Sequence, residues 1–202
     1  MKRYVIGDIH GGYRGLKQCL ELVKFDYEND QLISIGDLCD GWSEVHLVVQ
    51  ELLKIKNLVL LKGNHDDWAL RNFLHKMTDL YDKRSWMSQG GLSTLNSYEA
   101  IDDKQKEEFI NLLASAVPFY IDDKNNLFVH GGYNHTCSIE DKDYTPEWEQ
   151  LETLMWDRTY WDNVYGGFYD KDPRFNKIYI GHTPTITVGS SIPLNCRGLP
   201  LM

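Results

Sequence analysis

Gln31-Leu32-Ile33-Ser34-Ile35-Gly36-Asp37-Leu38-Cys39-Asp40 runs an apolar segment into a Gly-Asp turn, and that layout decides the fold. The same arrangement stands on either side of it. Tyr4–Ile6 is a short apolar run ending at Gly7-Asp8, and Leu58–Leu61 is another ending at Gly63-Asn64. Between these predicted strands, Leu16, Leu20 and Val23, with Cys19, recur at helical spacing. Val45, Val48, Val49, Leu52 and Leu53 mark a second helix, and Trp68–Leu74 continues helically. This βαβαβ order argues for parallel strands joined by right-handed crossovers. In such sheets the chemistry gathers beyond the carboxyl ends of the strands, which is where Asp8, Asp37 and Asn64 fall.

Further along, Asp79–Val117 reads as mainly helical and amphipathic, with no motif, and is a candidate cap over a substrate cleft. Val117–Ile121 and Leu127–Val129 read as a hairpin with Asp122–Asn126 as its turn. Glu147–Arg158 reads as a helix with Trp148, Leu151, Leu154 and Met155 on one face. Tyr160–Phe175, rich in aromatics, Gly and Asp, reads as loop, and Lys177–Ile180 as a strand. There is no internal repeat and no linker, so one domain over 1–202 is the simplest organisation.

Composition narrows the function. A chain of 202 residues with 42% hydrophobic and 25% charged residues suits one soluble globular domain. The net charge of −9 argues against a broad nucleic-acid surface, which needs clustered Lys and Arg. No apolar stretch reaches the ~20 residues of a membrane span. Met1-Lys2-Arg3 leads directly into a strand and does not read as a signal peptide. Cys19, Cys39, Cys137 and Cys196 form no CxxC, so reduced thiols and a cytoplasmic location are expected.

Five blocks each place a hard metal ligand at the end of a predicted strand. They are Gly7-Asp8-Ile9-His10-Gly11, Gly36-Asp37-Leu38-Cys39-Asp40, Gly63-Asn64-His65-Asp66, Val129-His130-Gly131-Gly132 and Gly181-His182-Thr183. Carboxylate, imidazole and amide donors without thiolate suit manganese, iron or zinc. In this order the blocks resemble the calcineurin-like metallophosphoesterases, specifically the phosphoprotein-phosphatase branch of bacterial and phage type. The resemblance runs from Tyr4 to about Thr187. It implies an α/β architecture: a central β-sandwich of two mixed sheets flanked by helices.

The resemblance also implies roles. Asp8 and His10 chelate one divalent ion, Asp37 bridges two, and Asn64, His130 and His182 complete the second, with manganese as the expected metal. A water activated between two such ions attacks phosphorus in line. His65 matches the acid that protonates the leaving oxygen, and Asp40 the residue that orients it. Arg158 resembles an arginine that grips substrate phosphate; an exposed helix-end arginine favoured by the dipole is the alternative. His46, His75 and His135 match no motif. The aromatic residues Trp156, Tyr160, Trp161, Tyr165, Phe168 and Tyr169 read as packing, and Cys39 as a small residue filling a strand end.

Two departures from the pattern bear on substrate. The family's second block usually continues Asp-Arg-Gly, whereas this chain has Asp40-Gly41-Trp42. Losing a bidentate arginine weakens phosphate binding by about 2 kcal/mol. Arg158 and Arg14 are candidate replacements, and Trp42 is a candidate flat wall for an aromatic group. Relatives also continue past the Gly-His-Thr block with further strands, so a shortened C-terminus and an unpaired sheet edge are expected. The expected activity is metal-dependent hydrolysis of phosphomonoesters of the serine/threonine protein phosphatase type, on a phosphorylated protein or a small phosphoester. Hydrolysis of nucleotides, as by symmetrical dinucleoside tetraphosphatases, is the first alternative. A catalytically weak phosphate-binding module is the second.

Overall fold

The apolar runs that end in Gly-Asp and Gly-Asn turns pair with one another. A computed structural model of the protein describes residues 1–136, 138–139, 146–196 and 199–202. In it β1 (Arg3–Ile6), β2 (Gln31–Ser34) and β3 (Asn57–Leu60) form a parallel sheet in the order β1-β2-β3. Arg3 pairs with Gln31 and Gln31 with Asn57, so the three strand ends come out level. Leu32, Ile33 and Ser34 of the central strand are all buried. Burial on both faces is why β2 reads as a continuous run rather than an alternation.

The chain folds as two compact units, Met1–Ala116 and Val117–Met202. In the first, the crossovers are α1 (Tyr13–Leu22) and α2 (Val45–Leu52). The buried stripe of α1 is narrower than its spacing suggests: Leu16 and Leu20 are buried, but Cys19 is exposed and Val23 caps the helix partly in water. In α2, Val45, Val48, Val49 and Leu52 are buried, while Leu53, beyond the last turn, is exposed.

One charged residue shares that buried face. Glu51 is 1% exposed and accepts hydrogen bonds from Lys17 Nζ (3.0 Å), Lys54 Nζ (2.6 Å) and the Tyr27 hydroxyl. Burial alone would raise its pKa, but Lys54, Tyr27 and Lys17 outweigh it and hold the carboxyl at about 2, against 4.5 for a free glutamate. A depressed folded-state pKa stabilises fully above the unfolded value and is lost as pH falls through the folded one. Glu51→Gln is therefore expected to cost about 2 kcal/mol at pH 7. In urea melts, the gap to the natural protein should close as pH falls from about 4.5 toward 2.

The stretch after α3 (Asn64–Phe73) is helical, as its amphipathic pattern predicts. It comprises α4 (Leu80–Trp86), a kink at Met87–Gly91 where Gly90 takes φ +105°, α5 (Leu92–Glu99) and α6 (Asp103–Ser115). Asp102 caps α6 by accepting from the Gln105 N–H at 2.8 Å, and Gln105 returns a bond to the Asp102 N–H at 3.2 Å. Trp86, Phe109 and Leu113 are fully buried, so this stretch builds the core of the first unit. Phe73 stacks on Tyr98 with centroids 4.0 Å apart, and Phe109 meets both rings edge-on.

In the second unit the expected hairpin forms. β4 (Phe119–Ile121) pairs antiparallel with β5 (Leu127–Val129), and Asp122 holds the turn by accepting from the Lys124 and Asn126 N–H groups. β5 pairs in parallel with β6 (Ile178–Ile180). The sheet order is β4-β5-β6-β8-β7, with β7 (Leu194–Cys196) and β8 (Leu199–Leu201) antiparallel to each other. The tail beyond Gly-His-Thr thus supplies two strands, after a 3₁₀ turn at Thr185–Val188. Mixed pairing belongs to this sheet, and the first is parallel throughout. Two sheets with helices, the expected α/β class, are present.

The helix predicted over 147–158 is α7 (Trp148–Trp156), with Leu154 and Met155 buried but Trp148 53% exposed. The predicted loop over 160–175 is partly a helix, α8 (Thr159–Tyr165). Tyr160, Trp161 and Val164 bury themselves against β5 and β6 residues, which overrides the weak helix propensity of Thr, Tyr, Trp, Asn and Val. Trp156, Tyr165, Phe168 and Tyr169 stay exposed, although Tyr165 stacks on Trp161 with centroids 5.2 Å apart and Tyr169 meets the His135 ring at 5.6 Å. Cys137 lies outside the described residues, and Cys19, Cys39 and Cys196 are free thiols.

Candidate metal centre

In the first unit the turns behind β1 and β2 are laced together by backbone. The Ile9 and His10 N–H groups both donate to the Asp37 carbonyl (3.0 and 2.8 Å), and Gly11 N–H donates to Leu38 O (2.8 Å). His10, Asp37 and Asp40 all adopt positive φ, at 46°, 52° and 70°. Non-glycine residues are held there only where the surroundings over-determine them, and such strain gathers at functional sites. His182 in the second unit joins them at φ 61°.

The donor atoms are aimed for a cation. His10 Nδ1 lies 2.8 Å from the Cys39 carbonyl, which can only accept, so Nδ1 carries the proton and Nε2 presents its lone pair. That Nε2 stands 3.6 Å from Asp37 Oδ2. Donor atoms of His10, Asp37 and His65 all lie within 4.8 Å of one another. Asp37 and Asn64 are 1% exposed, and Asp8 follows β1 in the same loop as His10. Gly63 makes room for this cluster. A Cβ on it would stand 2.1 Å from Asp37 Oδ1, so only glycine fits ahead of Asn64.

His65 begins α3 beside Asn64. Its backbone N–H donates to Asp37 Oδ1 at 3.0 Å, and its Nδ1 lies 2.5 Å from Asp40 Oδ2. Burial pushes the imidazolium pKa down, but the Asp40 hydrogen bond and the charges of Asp37, Asp40 and Asp66 carry it above the ordinary histidine value. The bond to Asp40 puts the Nδ1 proton in place and leaves Nε2 as the free edge of the ring.

Three residues that the sequence reading leaves unassigned hold this pair. Trp86 Nε1 donates to both Asp40 oxygens (3.1 and 2.9 Å), and Thr94 Oγ1 donates to Oδ1 at 2.6 Å. The Asp40 N–H in turn donates to Thr94 Oγ1 at 2.7 Å. All three residues are wholly buried, so the carboxylate is dry and fully bonded. Asp66 accepts from the Leu38 and Cys39 N–H groups at 2.8 and 3.1 Å and fixes the turn between Asp37 and Asp40. Its place in the Gly63-Asn64-His65-Asp66 block was the available signal. Trp86 and Thr94 offered none, because an aromatic and a threonine on amphipathic helices ordinarily mean packing.

Gly41, where the family carries arginine, has φ +75° and packs against His10, whose Cβ and carbonyl a side chain would meet at 3.2 Å. Gly90 completes the fit, since a Cβ there would stand 2.7 Å from Gly41 N. Backbone lies on backbone, and nothing at position 41 reaches a phosphate. Trp42 is 71% exposed. The Arg14 side chain is 87% exposed, with Nε 3.7 Å from Glu44 Oε1.

In the second unit, His130 follows β5 and His182 follows β6, which are neighbours in the sheet. The Gly181 N–H donates to the His130 carbonyl at 2.8 Å, and the two imidazoles lie 5.2 Å apart. Both histidines are buried. Arg158 lies between α7 and α8, exposed, and its Nη2 donates to the His182 carbonyl at 3.3 Å. It therefore belongs beside a ligand block. Trp156 meets the His182 ring edge-on at 5.9 Å. His46, outside every motif, bonds through its N–H and Nδ1 to Ser97 Oγ and is structural.

Over 190 residues the chain is 27% identical to serine/threonine-protein phosphatase 1 of Salmonella typhimurium, covering 90% of this chain and 78% of that one. It is 34% identical over 110 residues to serine/threonine-protein phosphatase 2 of Escherichia coli, covering 54% of this chain and 46% of that one. The chain thus spans less than half the length of the second relative. Its fold resembles a solved protein serine/threonine phosphatase of Saccharomyces cerevisiae, with a TM-score of 0.61 at 18% identity, over 100% of this chain and 66% of that one. The family model of calcineurin-like phosphoesterases matches residues 1–196, a span that contains all five ligand blocks, and the chain belongs to that family.

Proposed function

We propose that this metallophosphoesterase hydrolyses phosphomonoesters of the serine/threonine phosphatase kind with two divalent ions, manganese by preference. The observation that carries the reading is the cluster of His10, Asp37 and His65 donor atoms, with His65 fixed on Asp40. The six ligands Asp8, His10, Asp37, Asn64, His130 and His182 serve one pair of ions within a single functional domain, as the family order of their blocks implies. Bound ions supply Lewis acidity toward the phosphoryl group and toward a water. The protein's own residues do the rest. His65 delivers the Nε2 proton to the leaving oxygen, Asp40 keeps the ring oriented, and Arg158 holds a phosphoryl oxygen in place of the arginine missing at position 41. The free thiols fit a reducing, cytoplasmic setting.

Trp86 and Thr94 act through Asp40 and are positioning residues. Trp86→Phe keeps the ring and removes the N–H that bonds both carboxylate oxygens. It should lower kcat for a phosphoserine peptide by about tenfold to a hundredfold with little change in KM. Circular dichroism and thermal melts check that the fold persists. A loss confined to KM would contradict the positioning role.

Asp40→Asn gives the pH test. Burial lowers the His65 pKa, and Asp40 with its neighbouring carboxylates raises it beyond that loss, so the acid stays protonated to higher pH. Without the Asp40 charge the ring deprotonates sooner. The alkaline limb of kcat for alkyl phosphates should move to lower pH, and an unmoved limb would remove Asp40 from this role.

A further inference from the structure

Beside the first ligand loop opens a cleft of about 710 Å³, with Ile6, Asp8, Arg14, Leu16, Trp42 and Glu44 among its walls. That volume is the size of a small-molecule site. Trp42 is mounted on the ligand loop itself. Its N–H donates to the His10 carbonyl at 2.8 Å, and its own carbonyl lies where a Cβ on Gly11 would strike it at 2.4 Å. Yet the residue is 71% exposed. Its exposed indole is one wall of the cleft, with Ile6 and Leu16 among the other apolar walls.

Charge and shape narrow the occupant. Arg14 is the one cation among the lining residues, and Glu44 already stands 3.7 Å from it. Asp8 and Glu44 set two carboxylates against that single guanidinium, so a second phosphate is disfavoured. Ile6 and Leu16 give an apolar floor, and the indole gives a flat face for offset or edge-on ring contact. Asp8 both lines the cleft and belongs to the ligand loop, so the cleft continues the reaction site.

We infer that this cleft receives one uncharged planar aromatic group on the leaving side of a small phosphomonoester. The inference rests on the phosphoesterase reading above. It makes Trp42 a specificity residue, whose ring contact adds to the phosphate grip proposed for Arg158.

The test compares 2-phenylethyl phosphate with 2-cyclohexylethyl phosphate. Their leaving alcohols are alike in size and acidity and differ in the ring face. KM for the phenyl ester should be about fivefold lower in the natural protein. The difference should vanish in Trp42→Ala and persist in Trp42→Phe. A second readout needs no turnover: the Trp42 indole N–H signal in NMR, identified by its loss in Trp42→Phe, should move with the phenyl ester at concentrations where the cyclohexyl ester leaves it still. Equal KM values in the natural protein, or a preference that survives Trp42→Ala, would overturn the inference. If no phosphoester is turned over while the indole signal still follows the phenyl ester, the cleft stands and the phosphoesterase reading fails. If turnover is normal and the signal does not move, the cleft alone is refuted.

Discussion

His65→Asn should lower kcat for a phosphoserine peptide about 10²- to 10⁴-fold while leaving para-nitrophenyl phosphate within about tenfold of the natural rate. The contrast arises from the leaving group. A serine alkoxide is a strong base and needs a proton as the ester bond breaks, whereas nitrophenolate departs unaided. The surroundings of His65 support the proposed role. Its Nδ1 is committed to Asp40 at 2.5 Å, its backbone N–H to Asp37, and the ring meets His10 edge-on at 4.9 Å and Trp68 at 5.3 Å. KM should change little, because the contact of His65 with the leaving oxygen strengthens mainly as that oxygen becomes an alkoxide in the transition state. Equal losses on both substrates would mean that His65 supports the metal site and is not the acid.

Gly63→Ala should be the most damaging exchange of a residue that ligates nothing. The added carbon would stand 2.1 Å from Asp37 Oδ1, 2.4 Å from its backbone nitrogen and 2.8 Å from its Cγ. Two of these atoms are the carboxylate's own and the third is the backbone of a buried, laced turn, so the strain falls on the carboxylate that bridges the ions in the proposed centre. A cost of about 1–3 kcal/mol in stability is expected from overpacking. Manganese affinity should fall by at least about tenfold, the usual size for disturbing a ligand's support. Calorimetric titration with manganese, alongside thermal melts, separates the two effects. A folded variant with unchanged affinity would show that Asp37 is not held as described.

The parts of this molecule that a reader of the sequence can recover are those where one residue type answers one physical demand. A strand buried on both faces must be an apolar run, so β2 announces itself. A hard cation needs carboxylate, imidazole or amide donors, and glycine beside them relieves crowding, so the five blocks stand out. Asp66 was half legible. It sits inside a block, but a carboxylate bonding two backbone N–H groups looks the same in sequence as one that caps a helix. Trp86 and Thr94 were not legible, because their partner Asp40 lies 46 and 54 residues away and nothing local distinguishes them from core residues. The helix at Thr159–Tyr165 was hidden for the opposite reason. Its residues favour other conformations, and only burial of Tyr160, Trp161 and Val164 makes it form. The kink at Met87–Gly91 belongs to the same class. Gly90 and Gly91 look like a loop signal, yet they let the chain pass close to Gly41 and against the Trp86 ring within a run of helices.

In the function proposed above, Asp37 organises a divalent-metal centre that cleaves phosphoesters. Its most direct test is the hydrolysis of para-nitrophenyl phosphate by the purified chain with and without added manganese, with Asp37→Asn measured in parallel. Turnover should require the metal and fall by at least about a hundredfold in Asp37→Asn, while both proteins melt as folded chains. Metal bound without turnover, or turnover that Asp37→Asn retains, would contradict it.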